Sequence, residues 1–499
     1  MLFAEVHWPH KTKADEIEGL RFFPQSLWRH FRHFRLSWPH EWLDNQPPKW
    51  GEYGADTSFS GSYYIPRDMN RLTQAIPAMQ ITKFTISCPF IPPPSLVKAI
   101  MKSETLTALA CEETPLDLDL PGLVIPTLSS LKLVAVGEAL RVGDGKIDLQ
   151  VSDIQYWICG WKRRYRARRE LRLPLEAITA SGLLRRHAAH IRTIQLSGDL
   201  CQLQRLATCE WAALETFILT GHVPERDGVP LSDVLARMPC VRDVRLLLGK
   251  TSHRLLQILP RGCGAQNGNG AQKPSSSTLP ALPPTLTRLA VSTTCELTGL
   301  LPHARGLDDL AIVSIIDFPR LPIALTLGDA TELVHDIARS GAPLRRLRLM
   351  VEDKITPVFV YSIARRLPGL EELEIEVCGY HDGKVTFELA EFAMALEPLT
   401  KLRALRIGIQ FPEFDDTEGD GPWLVLRRQC AEFFARHLPS LRRIGFEFRE
   451  RTGTHKYQDS WLEFRVERKN VDGGAAAAGG PPDLILAPLP RSWYVFPDV

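Results

Sequence analysis

The 499-residue sequence lacks several features that would define its class at once. It has no run of about 18 uncharged apolar residues, the length that a membrane-spanning helix needs, and no apolar segment of a secretory signal follows Met1. Its ten cysteines form no Cys-x-x-Cys pair, which argues against a zinc site and a disulfide framework. The net charge is only +2. We therefore expect a cytoplasmic or nuclear protein, with no membrane partner and no charge-driven preference for nucleic acid.

The sequence also lacks the short motifs that mark common enzymes. No G-x-S-x-G turn, H-E-x-x-H helix or G-x-G-x-x-G loop is present. Gly249–Thr251 follows a predicted strand, as in a phosphate-binding loop, but Val244 occupies the position of the required glycine. Asp117–Asp119 alternates with leucines, as in a half-buried strand. We predict a non-enzymatic protein with no catalytic, cofactor-binding or metal-ligating residues and no small-molecule substrate; an enzyme that assembles distant residues is the alternative.

What the sequence does contain is a recurring unit of a helix, a proline and a strand. The predicted helix Val358–Leu367 ends before Pro368, and Leu370, Leu373 and Ile375 follow in the pattern L-x-x-L-x-L. Proline ends a helix and favours extended geometry in the residue before it, so it separates the two elements. Five such triads carry the proline two residues before their first apolar residue, and they begin at Leu128, Val241, Leu286, Leu370 and Leu441.

The strand of this unit has the form of a known repeat. Leu370–Cys378 reads L-x-x-L-x-L-x-x-C and resembles the cysteine-containing leucine-rich repeat. Irregular repeats in a chain of this length resemble the substrate-binding part of fungal F-box/leucine-rich-repeat proteins, although no F-box is recognisable between Met1 and Asp44. The resemblance implies an α/β leucine-rich-repeat solenoid, a horseshoe with a concave parallel sheet and outer helices. It also implies protein–protein recognition, as in the substrate receptor of a ubiquitin ligase.

The same pattern suggests three regions. Residues 1–60 are rich in aromatic side chains and are predicted to form an N-terminal cap with the first strand; a ligand-stacking surface is the alternative. Residues 61–470 are predicted to form the repeat array, with a disordered insert at Gly262–Pro284. Residues 471–499 are predicted to be a Gly/Ala/Pro linker and an apolar tail that folds back as a C-terminal cap.

Some shorter segments of the array are predicted individually. Leu255–Leu259 and Cys201–Ala213 are predicted to be helical, and Leu171–Leu173 is predicted to end a strand. Phe414–Pro422 is predicted to be an acidic loop that lengthens one repeat. These assignments set the spacing of the repeats.

A dense basic run suggests a different function. Between Trp161 and Arg169 the basic residues are Lys162, Arg163, Arg164, Arg166, Arg168 and Arg169. Basic side chains interleaved with Trp161 and Tyr165 could grip phosphates while stacking bases, or could form a nuclear-import signal. A solvated helix face is the simpler interpretation. A nucleic-acid-associated protein that uses residues 161–172 is therefore the alternative function.

The residues predicted to face outward from the strands carry the main hypothesis. In each repeat, the residue between the second and third apolar positions should lie on the concave face. These residues are Lys132, Arg172, Gln195, Ile218, Arg245, Ala290, Ala311, Arg348, Glu374, Arg406 and Gly445.

Arginine is common on this predicted face and suits bidentate contact with carboxylates. The candidate partner-binding residues are Arg245, Arg346, Arg348, Glu374, Arg406 and Arg443. The predicted partner is a protein with an acidic segment. The competing interpretation is that Arg348, Glu374 and Arg406, which lie on successive strands with alternating charge, only pair with one another.

Overall fold

The computed structural model of the protein describes residues 5–9, 23–37, 66–87, 92–112, 114, 125, 127–134, 173–224, 229–249, 255–258, 282–296, 305–314, 324–377, 388–409, 411, 422–453, 456–468 and 484–488. The chain forms two compact units. Met1–Ala139 and Gly160–Asp243 make up the first unit, and Leu140–Cys159 and Val244–Val499 make up the second.

The first unit is built on seven described parallel strands. They are β1 (Glu5–Pro9), β2 (His33–Ser37), β3 (Lys83–Ser87), β4 (Ala108–Glu112), β5 (Ser130–Val134), β6 (Thr193–Ser197) and β7 (Thr216–His222). Within this unit, neighbouring strands along the chain pair in parallel from β1 to β7. The described helices are α1 (Gln25–Trp28), α2 (Pro66–Ala75), α3 (Pro94–Met101), α4 (Leu173–His187), α5 (Leu203–Ala207) and α6 (Leu231–Leu235). Ile76–Ala78 and Gly198–Leu200 are short 3-10 helices.

The second unit continues with strands in the same chain order. They are β8 (Asp243–Gly249), β9 (Arg288–Ser292), β10 (Asp309–Val313), β11 (Arg346–Val351), β12 (Glu372–Val377), β13 (Ala404–Ile407), β14 (Arg443–Gly453), β15 (Lys456–Arg468) and β16 (Leu484–Pro488). The strands from β9 to β14 pair in parallel, whereas β15 and β16 add antiparallel strands. The described helices are α7 (Leu327–Ser340), α8 (Pro357–Arg366), α9 (Leu389–Leu396) and α10 (Pro422–His437). This arrangement confirms the predicted fold class, an α/β leucine-rich-repeat-like solenoid.

The repeat around α8 shows why the sequence folds in this way. The Thr356 hydroxyl accepts a hydrogen bond from the Phe359 N–H at 3.2 Å, and Pro357 fits the first helical turn, so both residues favour a helix start here. Ile363 is fully buried, and so is Leu370 at the start of the following triad. Burying one such side chain contributes about 1.5–3 kcal/mol. The apolar core therefore runs between the helices and the inward face of the strands.

A repeated backbone contact fixes the register of the strands. The N–H groups of Thr107 and Ala108 both donate to the carbonyl of Thr82, at 2.8 and 2.9 Å. In the second unit, Glu371 and Glu372 donate in the same way to the carbonyl of Arg345, at 2.8 and 3.0 Å. Because each strand starts from the same contact with its predecessor, equivalent side chains line up from strand to strand.

One contact in the second unit skips a strand. The Glu447 carboxylate on β14 accepts a hydrogen bond from the Val377 N–H at the end of β12, at 2.7 Å. The Glu447 side chain lies against Gly408, which follows β13. A Cβ atom at Gly408 would lie 2.8 Å from Glu447 Oε1. Glycine at this position therefore allows Glu447 to reach beyond its neighbouring strand.

Several predicted elements differ from the structure. Leu256, predicted to be helical, forms a parallel β-bridge with Cys295, because backbone groups of Thr294 and Glu296 supply its hydrogen bonds. Leu173, predicted to end a strand, is the first residue of α4, where Pro174 is compatible with a first helical turn.

Other differences concern length and number. The helix predicted at Cys201–Ala213 is only Leu203–Ala207, because the chain leaves the helical conformation after Thr208. Strand β1 was not predicted. The tail segment Leu484–Pro488 pairs with β15, while the predicted roles of residues 1–60 and 471–499 stay predictions. Residues 117–119, 161–172, 262–281 and 414–420 lie outside the described residues.

Candidate functional site

The predicted outward-facing residues align in a single register within each unit, and we call this alignment the central column. In the first unit it consists of Arg35, Thr85, Ala110, Lys132, Gln195 and Ile218. In the second unit it includes Ala290, Ala311, Arg348, Glu374, Arg406 and Gly445. The alternation of side chains along the strands predicted the members from Lys132 onward, whereas Arg35, Thr85 and Ala110 were not predicted and Arg172 lies outside the described residues.

The centre of this column in the second unit is a network of ion pairs. Arg348 Nε lies 2.7 Å from Glu374 Oε1, and Arg348 Nη2 donates to Glu376 at 3.1 Å. Arg406 Nη1 donates to Glu374 Oε2 at 2.8 Å, and the same guanidinium binds Glu463. Burial alone would lower the pKa of Arg406, but the carboxylates of Glu374 and Glu463 raise it, and the net shift is upward. The predicted pairing of Arg348, Glu374 and Arg406 is confirmed.

A glycine makes room for this network. Arg406 on β13 reaches Glu463 on β15 across Gly445 of the intervening strand β14. A Cβ atom at Gly445 would lie 3.1 Å from Arg406 Cγ and 3.2 Å from Glu463 Cγ, closer than ordinary contact. Any larger side chain at this position would have to displace one of the two partners.

A second row of charges lies two residues before the central column, and we call it the outer row. In the second unit it includes Arg346, Glu372, Ala404 and Arg443. The side chains of Arg346 and Arg443 are 44% and 50% exposed. Both approach Glu372, at 3.9 and 3.6 Å, and Arg346 also approaches Asp309 at 3.7 Å. These distances exceed those of hydrogen bonds, so two exposed guanidinium groups share one carboxylate loosely.

Arg245 differs from the other candidate arginines. It lies on β8, but only 6% of the residue is exposed. The prediction grouped it with side chains that project from the strands, and sequence spacing gives the side of a strand but not the depth of burial. Arg245 therefore contributes no exposed guanidinium group to this face.

A further row of charges at the strand starts was not predicted. Arg345 Nη2 donates to Asp308 Oδ2 at 2.7 Å, and this bond holds the pKa of Asp308 below its usual value. On the next strands, Glu371 lies 3.4 Å from Arg403. Alternating charge directly after the first apolar residue of successive triads was the sequence signal for this row.

The first unit carries hydroxyl groups at the same position. Thr82 Oγ1 donates to the Arg32 carbonyl at 3.1 Å, Thr107 Oγ1 donates to the Thr82 carbonyl at 3.0 Å, and Ser129 Oγ donates to the Thr107 carbonyl at 3.1 Å. At the end of β4, Glu112 forms ion pairs with Arg35 at 3.2 Å and with Lys132 at 2.9 Å. Farther along the same unit, Arg192 lies 3.6 Å from Glu215 at the equivalent position, so the polar face of the first unit combines hydroxyl groups with ion pairs.

A serine, an aspartate and a histidine meet at the ends of β6 and β7. His222 Nδ1 lies 3.0 Å from Asp199 Oδ1, and Ser197 Oγ donates to Asp199 Oδ2 at 3.3 Å. In a nucleophilic triad the hydroxyl donates to the imidazole, whereas here it donates to the carboxylate. The turn is tightly packed, since a Cβ at Gly198 would lie 1.7 Å from the His222 carbonyl oxygen. This cluster closes a turn and does not form a serine nucleophile.

The described residues do not form a metal site, and their buried cysteine thiols are not activated. Within those residues, no three His, Cys, Asp or Glu side chains are grouped to hold a metal ion. Burial raises the pKa of the Cys111 and Cys295 thiols to about 12, which disfavours the reactive thiolate. Among the described helices, none is long and apolar enough to cross a membrane.

Comparisons with known proteins do not assign this chain to a family. No protein-family model matches it, and no curated protein matches it. It is similar to a crystal structure of a TLR13-ssRNA13 complex, with 10% identity and a TM-score of 0.27. The match covers 84% of this chain, which spans 55% of that chain. A TM-score this low carries no argument, so the class rests on the parallel strands described above: an α/β protein of leucine-rich-repeat-like architecture.

Proposed function

We propose that this protein is a non-enzymatic scaffold of the cytoplasm or nucleus that binds a partner protein through the polar strand face of its second unit. The observation that carries the proposal is the outer row, where Arg346 and Arg443 are about half exposed and share Glu372. Strands paired on both sides hold these arginines in place, which lowers the entropic cost of ordering them on binding. Arginine recognises carboxylates in bidentate geometry, so the partner carries an acidic segment.

The central column has a supporting role in this proposal. Arg348, Glu374 and Arg406 are engaged with one another and with Glu376 and Glu463. Their pairing links the neighbouring strands β11 to β15, two residues along from the outer row. We therefore expect them to act on binding through the position of the strands, not through direct contact.

The double variant Arg346→Ser/Arg443→Ser tests the proposal. Tagged full-length chain is used for affinity purification with mass spectrometry, and we expect the captured partner to fall about tenfold or more, with wild-type capture weakening as salt rises. The matched control is Arg428→Ser/Arg436→Ser on α10, whose two exposed guanidinium groups share Glu432 at 3.7 and 3.9 Å. Undiminished capture by the first variant, with its melting temperature unchanged, would show that the outer row is not the recognition surface.

The resemblance to F-box/leucine-rich-repeat proteins suggests a narrower role as a ubiquitin-ligase substrate receptor. Recovery of a cullin adaptor among the partners of the wild-type chain would support this role. Recovery of other partners without any adaptor would argue for a recognition scaffold outside such ligases.

A further inference from the structure

The arginines of three successive repeats in the first unit lie at one edge, where helices end and strands begin. All arginines that the structure describes between residues 173 and 243 are at this edge. Some lie at or just after the ends of α4, α5 and α6, and the others lie just before β6 and β8. We call this surface the arginine edge, and its members are Arg185, Arg186, Arg192, Arg205, Arg237 and Arg242.

Backbone contacts show that these residues are neighbours. The Glu215 N–H donates to the Arg192 carbonyl at 2.8 Å, and the Arg242 N–H donates to the Glu215 carbonyl at 2.8 Å. The two arginines therefore flank one glutamate at successive strand starts. Beside the helix ends, the Trp211 N–H donates to the Arg237 carbonyl at 2.9 Å, which joins the chain after α5 to the chain after α6. The arginine edge is thus continuous across these repeats.

Positive charge predominates on this edge and is open to solvent. The side chains of Arg192 and Arg237 are 66% and 52% exposed. Arg237 donates to Glu210 at 2.7 Å, and Arg192 lies 3.6 Å from Glu215. Of the carboxylates described in the same stretch, only Glu210, Glu215 and Asp243 lie at this edge, beside six guanidinium groups.

The opposite edge of the same repeats is acidic. Glu176 and Asp233 lie in the first turns of α4 and α6, and Asp199 follows β6. Basic residues in the last turn of a helix complement its dipole, which accounts for the arginines at the helix ends. The dipole does not account for Arg192 and Arg242, which precede strands. The separation of charge along these repeats therefore suits a large anionic ligand at the arginine edge.

We propose that the arginine edge binds the phosphate backbone of a double-helical nucleic acid. Guanidinium groups bind phosphate in bidentate geometry. Proteins that hold single strands stack the bases on aromatic side chains, whereas Trp211 and Phe217, the aromatic side chains of this stretch, are fully buried. The contact therefore uses phosphates and reads no base sequence. The proposal goes beyond the proposed function, because both the surface and the ligand differ from the outer row and its protein partner.

Fluorescence anisotropy of the full-length chain with a labelled DNA duplex, an RNA duplex of the same sequence and a DNA single strand tests the proposal. We expect a duplex to bind more tightly than the single strand, with an affinity that falls as salt rises and does not depend on base sequence. The variant Arg185→Ser/Arg205→Ser should bind the duplex about tenfold more weakly at low salt. It should also lower the slope of log affinity against log salt by about 2, since each phosphate contact contributes about 0.9. The control Arg428→Ser/Arg436→Ser, which also removes two helical arginines, should bind as the wild type does.

Several results would overturn the proposal. They are the absence of salt-sensitive binding to either duplex, tighter binding of the single strand, and undiminished binding by Arg185→Ser/Arg205→Ser. Polyglutamate that displaces the duplex at an equal concentration of charge would also overturn it, because the surface would then suit an acidic protein. The variant Arg185→Lys/Arg205→Lys keeps both charges and should keep the salt slope; loss of the slope there would contradict a phosphate contact. Since all these variants keep Arg346 and Arg443, loss of duplex binding with retained partner capture separates this proposal from the proposed function.

Discussion

The strand starts of the two units share one backbone contact, but the side chains there differ between the stretch Thr82 to Ser129 of the first unit and the stretch Asp308 to Arg403 of the second. In the first unit, Thr82, Thr107 and Ser129 donate hydroxyl hydrogen bonds to the preceding repeat. In the second unit, Asp308 pairs with Arg345 at the same position. Since the shared carbonyl contact persists in both, the backbone and the apolar triads define the fold. The polar side chains determine how each unit responds to salt, acid and charged partners.

The central columns differ in burial as well. Glu112 of the first unit contacts Arg35 and Lys132, both of which are about a third exposed or more. Glu374 of the second unit contacts Arg348, which is only 14% exposed, and Arg406. Removing one partner of an ion pair costs more stability when the remaining charge is shielded from water. The second unit therefore depends more strongly on its ion pairs.

The largest expected effect tests whether the two units share one kind of core. Leu373 in the second unit and Leu131 in the first are the central residues of their triads and are essentially buried. Leu373→Asp and Leu131→Asp should each destabilise by more than about 4 kcal/mol, because a carboxylate would be buried without a partner. Thermal unfolding followed by circular dichroism measures this, with Glu372→Ala as the nearly neutral control. Equal melting temperatures for Leu373→Asp and Glu372→Ala would contradict the assigned strand phase.

A smaller effect separates the two central columns. Glu374→Ala removes one of two carboxylates from each of two partly buried arginines, which keep Glu376 and Glu463. It should cost about 2–3 kcal/mol, a value reduced because the network is partly exposed. Glu112→Ala removes a carboxylate that lies two residues beyond the central column of the first unit and contacts its members Arg35 and Lys132. It should cost no more than about 1 kcal/mol. Denaturant titrations of both variants give the comparison. A larger loss for Glu112→Ala would mean that burial does not rank the two columns.

A substitution at Gly445 tests whether Arg406 and Glu463 meet across β14. Gly445→Val should cost about 1–3 kcal/mol, because its side chain would meet Arg406 and Glu463. Gly369→Ala is the control, since a Cβ there would lie 3.7 Å from the Leu344 carbonyl oxygen, an ordinary contact. If both substitutions have the same melting temperature, the crossing at Gly445 is not tightly packed.

The sequence predicted the strand faces better than the depth of burial. Period-two alternation placed Arg348, Glu374 and Arg406 in one column, because the register of parallel strands follows from the buried triads. It could not show that Arg245 is buried, since that depends on which elements pack over β8. Leu256 was assigned to a helix because a short apolar segment fits either period.

The smallest expected effect concerns the strand starts. Thr107→Val removes one hydroxyl hydrogen bond and should cost about 0.5–1 kcal/mol, with little dependence on salt. Asp308→Asn removes an exposed ion pair, so its effect should shrink as salt screens the charges. Denaturant midpoints at low and high salt measure both. A salt-dependent cost for Thr107→Val would remove the distinction between the hydroxyl stretch of the first unit and the charged stretch of the second.

The stabilisation that the Asp308–Arg345 pair provides should also depend on pH. The hydrogen bond from Arg345 holds the pKa of Asp308 below its unfolded value, which is about 3.9. The stabilisation is therefore present above about pH 4 and is lost as pH falls through the lower folded pKa. The stability difference between wild type and Asp308→Asn should vanish on acidification, while that of Thr107→Val should persist. A difference that grows in acid would contradict the assigned pair.

The reach of Glu447 past Gly408 to the Val377 N–H affects how the array opens. A linear repeat protein in which each unit contacts only its neighbours can fray one repeat at a time. Here the Glu447 carboxylate couples β14 to β12 by a hydrogen bond, so opening of β14 removes the acceptor of an amide two strands away. Hydrogen exchange at Val377 should therefore report the detachment of β14, and the last repeats of the second unit should open as one cooperative block.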